Sequence, residues 1–583
     1  MGYLRGIWAD VVKYRMRLAI GLAFTGLLTI ACIRLQEQFP FSHFPMYGNP
    51  RPKPVDYFFL TDGTGTPLST LDYAGISSPQ IKKRLSTLLK KEDGDLLDQD
   101  LGPTAGTREA AQKVLEQIRR DAAASGHARL LTWPAGVQLK MGLIHTRKDG
   151  FNESFFTVAS LPDAGPPMKG NPEAAEKELG DSAVGFYLSL WKLLSQYTAV
   201  LGLALLIVML RHRMPSPWRT FLLAGTDGQR NGRLEGFCIR AGLAIVLWHC
   251  LQNRVGFESL PHPAGLAVWF PDAVLWFGQA GHWDLMLQFA AGLLVWYVAG
   301  WGIVVPVTAL TVLHCLGRSL YASQGAPHHG QNLTALLFLA QTIAAWTQLL
   351  GRATCLLRKR TFPDWLRPGN WTAHWLLMAA TIAAGYVITF ATKWEKSDGN
   401  WIKNAPCFAN QIVKTHRQNY YNSLDPQFIQ GVLPATAPVA DPATDRYRHP
   451  IPASADWLGR HPDLARLIFG AGFFLELLVF LAILDRRAAL LFGLGLVSLH
   501  GSIAWLMELS FPFNERIVGV FFVNAAGWLI LMAKDPAWRP SRKVWLFCLL
   551  GATVLLAAHL ATAASESTLA HFLDLAHHPA SII

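Results

Sequence analysis

Residues 373–392 read AHWLLMAATIAAGYVITFAT, and residues 393–401 continue as KWEKSDGNW. The first stretch holds twenty residues and no Asp, Glu, Lys or Arg. As an α-helix, about 20 residues rise roughly 30 Å, the thickness of a bilayer's hydrocarbon core. Lys393 and Trp394 then end it with a cation and an indole, side chains that settle at the membrane–water boundary. The stretch reads as a membrane span, and the fold follows from how often it recurs.

Comparable runs lie near 18–34, 188–210, 234–252, 282–299, 303–317, 332–350, 465–484, 488–508, 516–533 and 544–561, making eleven in all. The composition, 51% hydrophobic against 16% charged, with 21 Trp and 32 Phe, suits lipid-facing helices with aromatic borders rather than a water-soluble surface. The net charge of +12 does not point to nucleic acid, because Lys and Arg gather in short segments between apolar runs. Such segments are cytoplasmic anchors. Arg5, Lys13, Arg15 and Arg17 precede the first span, Arg211 and Arg213 follow the second, and Arg358, Lys359 and Arg360 follow the sixth. The alternate short loops carry about one basic residue each, namely Arg254, Arg318 and Arg516. This predicts a multi-pass protein of the plasma (inner) membrane, with its N-terminus cytoplasmic and its C-terminus extracytoplasmic.

Two extracytoplasmic segments are too long to be connections. In residues 37–186, Val55 to Leu60 reads as a strand ending in a turn at Asp62-Gly63. Ala111, Val114, Leu115 and Ile118 share one face of a helix that Thr107 would cap. Val137, Leu139, Met141 and Leu143 alternate as a half-buried strand, and a turn at Asp149-Gly150 leads to Ser154–Val158. The second segment, 393–464, includes a Pro- and Ala-rich part from Val432 to Pro452 that reads as irregular.

The expected fold is an all-α polytopic membrane protein of about eleven transmembrane helices. A small α+β extracytoplasmic domain with two hairpins is inserted between helices 1 and 2. The divisions are an anchor at 1–36, the α+β domain at 37–186, and a helix with its cytoplasmic linker at 187–233. A transmembrane domain follows at 234–535, and a last helix and tail at 536–583. Cys32, Cys238, Cys250, Cys315, Cys355, Cys407 and Cys548 form no C-x-x-C or metal-ligand spacing, so no metal is expected.

Ionisable side chains inside spans are costly and often functional. They are Arg240, His249, His314, Glu476, His500 and Glu508, with Lys393 where its span ends and His328 and His329 just before another begins. Depth places most of them near the extracytoplasmic boundary. Each also has a structural reading: a boundary His bonds to neighbouring groups, Lys393 snorkels to the interface, and Arg240 snorkels or pairs with Glu476. Paired His residues can also hold a haem, although no spacing singles out an axial pair.

From about Leu234 to Ala533 the chain resembles the horizontally transferred transmembrane (HTTM) family, to which the vitamin K-dependent γ-glutamyl carboxylases belong. The resemblance lies in an ordered series. Arg240 follows Leu234-Glu235-Gly236, and His328-His329-Gly330 precedes a Leu-rich span. Next come Thr392-Lys393-Trp394 after an apolar span and Glu476 within Phe474-Leu475-Glu476-Leu477-Leu478. Last is Leu499-His500-Gly501, leading to Phe511-Pro512-Phe513. About half the chain is covered.

The resemblance implies an active site facing outward and a reduced, vitamin K-like quinone as cofactor. It places Lys393 as the base that deprotonates the quinol, with His329 or His328 as its partner. His500 and Glu508 are then supporting groups. Amines are protonated in water at neutral pH, and removal from water favours the neutral, basic form. Besides the lipid bilayer, an extracytoplasmic protein or peptide is the implied partner. A non-enzymatic scaffold or receptor that binds such a partner through residues 37–186 is the reading from a different class. Transport would call for matched repeats or broken helices, and no repeat is evident.

Overall fold

The computed structural model describes residues 2–35, 39–42, 50, 54–91, 102–124, 133–134, 136–147, 150–161, 233–252, 260, 262–279, 281–324, 329–363, 366, 371–429, 446–484, 486–507, 509 and 511–534. The spans expected at 188–210 and 544–561, the Asp149 turn residue, most of the Pro- and Ala-rich stretch, and Arg254, His328, Glu508 and Cys548 lie outside the described residues.

A long helix, α1 (Gly2–Leu35), leads into a four-stranded antiparallel sheet of order β2-β1-β3-β4. Its strands are β1 (Val55–Thr61), β2 (Pro67–Leu68), β3 (Val137–Arg147) and β4 (Gly150–Leu161). The turn after β1 is set by Asp62, whose Oδ1 accepts from the backbone N–H groups of Thr64 and Thr66 at 2.8 Å. Both hairpins therefore form. Between them run α2 (Ser78–Lys91) and α3 (Ala105–Ala124). Thr104 rather than Thr107 caps α3: its Oγ1 accepts from the Thr107 N–H, and Thr107 is already inside the helix.

Successive strand residues point to opposite faces, and here both faces are covered. Phe58, Leu60, Leu139 and Met141 pack on Ile81 and Leu85 of α2 and on Val114, Leu115 and Ile118 of α3. Tyr57, Phe59 and Ile144, on the other face, meet a helix from far along the chain, residues Phe408–Ser423. Phe59 stacks on Tyr421 of that helix with ring centroids 4.0 Å apart. Gly142 sits opposite Tyr57 in the register, where a Cβ would collide with the tyrosine ring. The two long segments of the sequence thus form one body.

The helical bundle follows: α4 (Arg233–Gln252), α5 (His282–Ala299), α6 (Val304–Ala322), α7 (Asn332–Leu357), α8 (Thr372–Lys396), then the sheet-covering helix α9 (Phe408–Ser423). It continues with α10 (Pro462–Leu478), α11 (Arg486–Met507) and α12 (Pro512–Val518). Among the described residues six helices are long and apolar enough to cross a membrane: Leu234–Gln252, Val304–Ala322, His329–Leu357, Ala373–Lys396, Pro462–Ile483 and Arg486–Met507. The chain is accordingly a multi-pass membrane protein. Helix α1 lies along α8, with Leu28 and Cys32 against Ala384 and Ile388.

The run expected at 516–533 is not one helix. After α12 the chain makes a π turn at Gly519–Val523, and Asn524 adopts a left-handed φ of 44° before helix Ala525–Lys534. The break is stabilised by polar bonds. Asn524 Nδ2 donates to Glu235 at 2.7 Å, and Arg486 donates to both oxygens of the same carboxylate at 2.7 Å.

Candidate functional site

In a helix, residues three, four and seven apart share a face. Tyr386, Thr389 and Lys393 do so on α8, Gly472 and Glu476 on α10, and His500, Ile503 and Met507 on α11. All eight line one cavity at the sheet-bearing end of the bundle. Its accessible volume is about 130 Å³, and it is partly open to the exterior. Phe408, Phe469, Phe473 and Leu499 make most of its wall apolar.

Two polar pairs interrupt that wall. Lys393 Nζ donates to both Glu476 carboxylate oxygens at 2.7 Å, with side-chain exposures of 11% and 7%. The same ammonium lies 4.8 Å from the centroid of the Trp401 ring, a cation–π contact. Nearby, Tyr386 Oη and His500 Nε2 are 2.7 Å apart. Two polar atoms among the cavity-lining residues have no hydrogen-bond partner among the described residues: His500 Nδ1 and Asn514 Oδ1. Unpaired groups of this kind are costly.

Lys393, His329 and His500, singled out from the sequence, therefore share a cavity wall. His329 is buried in a short turn, His329–Gln331, and its Nδ1 lies 3.2 Å from Ser42 Oγ. Glu508 lies outside the described residues. His249 and His314 are not on this wall. The His249 ring is within 2.9 Å of the Ile245 carbonyl, and His314 packs edge-on against Phe39.

Glu476 pairs with Lys393 and not with Arg240. Arg240 Nε donates to the Val298 carbonyl at 3.0 Å, and its guanidinium stacks on Trp371. Depth along a span says nothing about rotation around it, which is why the sequence left the wrong pairing open. Tyr386 was missed, although it stands two turns before Lys393 on the same helical face. Trp401 and Asn514 were missed for a different reason: they arrive from a loop and from α12, and no periodicity points at the cavity.

The roof of this region is the contact between the sheet and α9. Arg417, fully buried, donates from Nε to Glu153 at 2.9 Å and from its Nη atoms to the carbonyls of Pro450 and His449. Burial, with Arg417 and His416 adding repulsion, pushes the His449 imidazole down to about 4. Burial and the like charge of Lys82 push Lys414, also on α9, down to about 7.

Among the described residues no group of three or more His, Cys, Asp or Glu is placed to hold a metal ion. No protein-family model matches the chain, and no curated protein or solved structure does. What the site can do follows from its geometry alone.

Proposed function

We propose that the chain is an HTTM-type membrane protein of eleven spans, with the sheet and the cavity on the extracytoplasmic side. Its cavity is the active site for a lipid-soluble quinol, and Lys393 with Glu476 is the base that deprotonates it. The observation that carries this reading is the two-pronged Lys393–Glu476 ion pair set into an otherwise apolar wall. A buried pair adds little net stability relative to apolar residues of the same volume, and ionisable groups at membrane depth are usually functional.

The chemistry balances within the pair. A quinol hydroxyl set against it gives its proton to Glu476, directly or through the Lys393 amine. The quinolate oxygen then lies beside the Lys393 ammonium, which offsets its charge. His329, His500 and Asn514 face the same space and supply further hydrogen bonds to the ring oxygens, while the phenylalanines hold the ring and its tail. A bilayer-soluble molecule reaches such a cavity without crossing water.

The test uses the full chain in lipid nanodiscs with vitamin K hydroquinone, following hydroquinone binding and epoxide formation under oxygen. The wild-type protein should turn over, and Lys393→Ala should lose about 100-fold or more, the usual contribution of a positioned base. Turnover unchanged in Lys393→Ala removes that residue from catalysis. A wild-type protein that neither binds nor oxidises the hydroquinone removes the quinol reading.

A further inference from the structure

A second polar cluster lies apart from the Lys393 wall, where α6 and the His329–Gln331 turn meet. Arg318 and Arg516, the basic residues that the charge pattern assigns to loops, are instead helical and buried, with exposures of 4% and 6%. The apolar run of α6 ends near 317, but its helix continues to Ala322 and carries Arg318 inward.

Arg318 stacks on Tyr321, 4.7 Å from the ring centroid, and its Nη1 has no hydrogen-bond partner. It forms no ion pair with a described Asp or Glu, and Tyr321, Cys250 and His314 are coupled to it electrostatically. Cys250 also feels Arg516, so two guanidinium groups bear on the same spot. His314, one turn before Arg318, is fully buried; its ring bonds to the Gln331 backbone through one nitrogen at most, and the other has no hydrogen-bond partner among the described residues. The Gln331 side chain is likewise fully buried, and neither its oxygen nor its nitrogen is paired.

A buried cation without a counter-charge costs several kcal/mol as an order of magnitude, and buried amides and imidazoles are normally satisfied. All three groups have N–H donors to offer, and His314 links them, since both Arg318 and the Gln331 backbone act on its ring. A small oxyanion answers the donor deficits: charge for Arg318, and acceptors for its Nη1, the Gln331 Nε2 and one His314 N–H. Arginine's planar fork favours carboxylate or phosphate oxygens over a spherical ion.

We propose that Arg318, His314 and Gln331 form a binding site for a small oxyanion, a carboxylate or phosphate group. The site does not depend on quinol chemistry. It adjoins the cavity through one turn, since Gln331 and His329 are two residues apart. Tyr321, whose hydroxyl bonds to Gln80 of α2, places it at the sheet-bearing end, within reach of a soluble anion or of a lipid phosphate.

The test is the thermal midpoint of the full chain, titrated with formate, acetate, bicarbonate and inorganic phosphate at constant ionic strength. Bulky gluconate serves as the control. The same protein is then placed in nanodiscs of neutral lipid with and without phosphatidylglycerol. A saturable rise with a small anion, absent with gluconate, is the expected result. A rise only with the anionic lipid assigns the same site to a headgroup phosphate. Arg318→Gln and the milder Gln331→Leu should each weaken the response about tenfold or more, the loss expected for one charge-assisted hydrogen bond. Gln331→Leu keeps the test decisive if Arg318→Gln does not fold. No response to any anion or lipid, or a response that both variants retain, overturns the site.

Discussion

Lys393 and Glu476 stand 83 positions apart in the chain and face each other at 2.7 Å on the wall of an apolar cavity. Each lies in the last turn of its helix but is buried, so each depends on the other for its charge. The pair can be tested as structure and as chemistry separately.

Removing one partner leaves an isolated buried charge, so Lys393→Met or Glu476→Leu alone should destabilise the protein by about 3–5 kcal/mol. The double variant should recover most of that loss and remain inactive toward hydroquinone. Unfolding curves in detergent, compared with turnover in nanodiscs, separate the two effects. A double variant as unstable as the singles shows that the pair itself holds the helices together.

The Tyr386 hydroxyl bonds to His500 inside the cavity. Tyr386→Phe removes only that oxygen, so its stability cost should be about 1 kcal/mol. If the imidazole must be oriented to meet an occupant, hydroquinone affinity falls by more than this energy implies. Calorimetry and denaturation on the same sample give the comparison.

His449 supplies an acid-sensitive point where α9 meets the sheet. Its folded value of about 4 lies below the ordinary histidine value of 6.5. The unfolded chain therefore binds the extra proton first, and stability contributed by the neutral ring is lost as pH falls from about 6.5 to about 4. Hydrogen exchange in β1 and α9 should accelerate over that window, and His449→Gln should flatten the change.

Lys414 has the matching behaviour at higher pH. Its folded value of about 7 lies below the ordinary 10.5, so the buried ammonium opposes folding most at and below neutrality. As pH rises from about 7 toward 10.5 that opposition disappears. Lys414→Met should raise the thermal midpoint at pH 6 and have a smaller effect near pH 10. Equal gains at both values would show that the side chain is solvated.

Gly142→Ala should lower stability by about 1–3 kcal/mol, the range for overpacking. Its Cβ would push into the Tyr57 ring, and the loss should be relieved in a Tyr57→Leu background.

Hydropathy reveals where helices lie because lipid imposes one rule along the whole chain, and the six described spans overlap their apolar runs, although one ends seven residues later than expected, at Leu357. The rule weakens where a helix outlasts its apolar run, as α6 does past residue 317 to bury Arg318. It also fails at Asn524, where bonds to Glu235 stabilise a break inside an apolar segment. For the cavity, the sequence singled out Lys393, Glu476, His329 and His500, which the fold brings to one wall, but not how they pair. Pairing depends on helix rotation, and that is set by packing between segments far apart in the chain. One clue went unused. Tyr57-Phe58-Phe59-Leu60 is apolar without alternation, the pattern of a strand covered on both faces, and Asp56 to Thr61 are indeed buried.

The sheet's second cover has a consequence for biogenesis. β1 and β3 emerge early in synthesis, whereas the helix that shields Tyr57 and Phe59 begins at Phe408, beyond most of the bundle. Until that segment arrives, the hairpins display an aromatic surface open to chaperones and proteases. A ribosome stalled before residue 400 would hold a chain whose early part cannot close. Completion of the extramembrane body is thereby a built-in report that the intervening helices have been inserted in the right order.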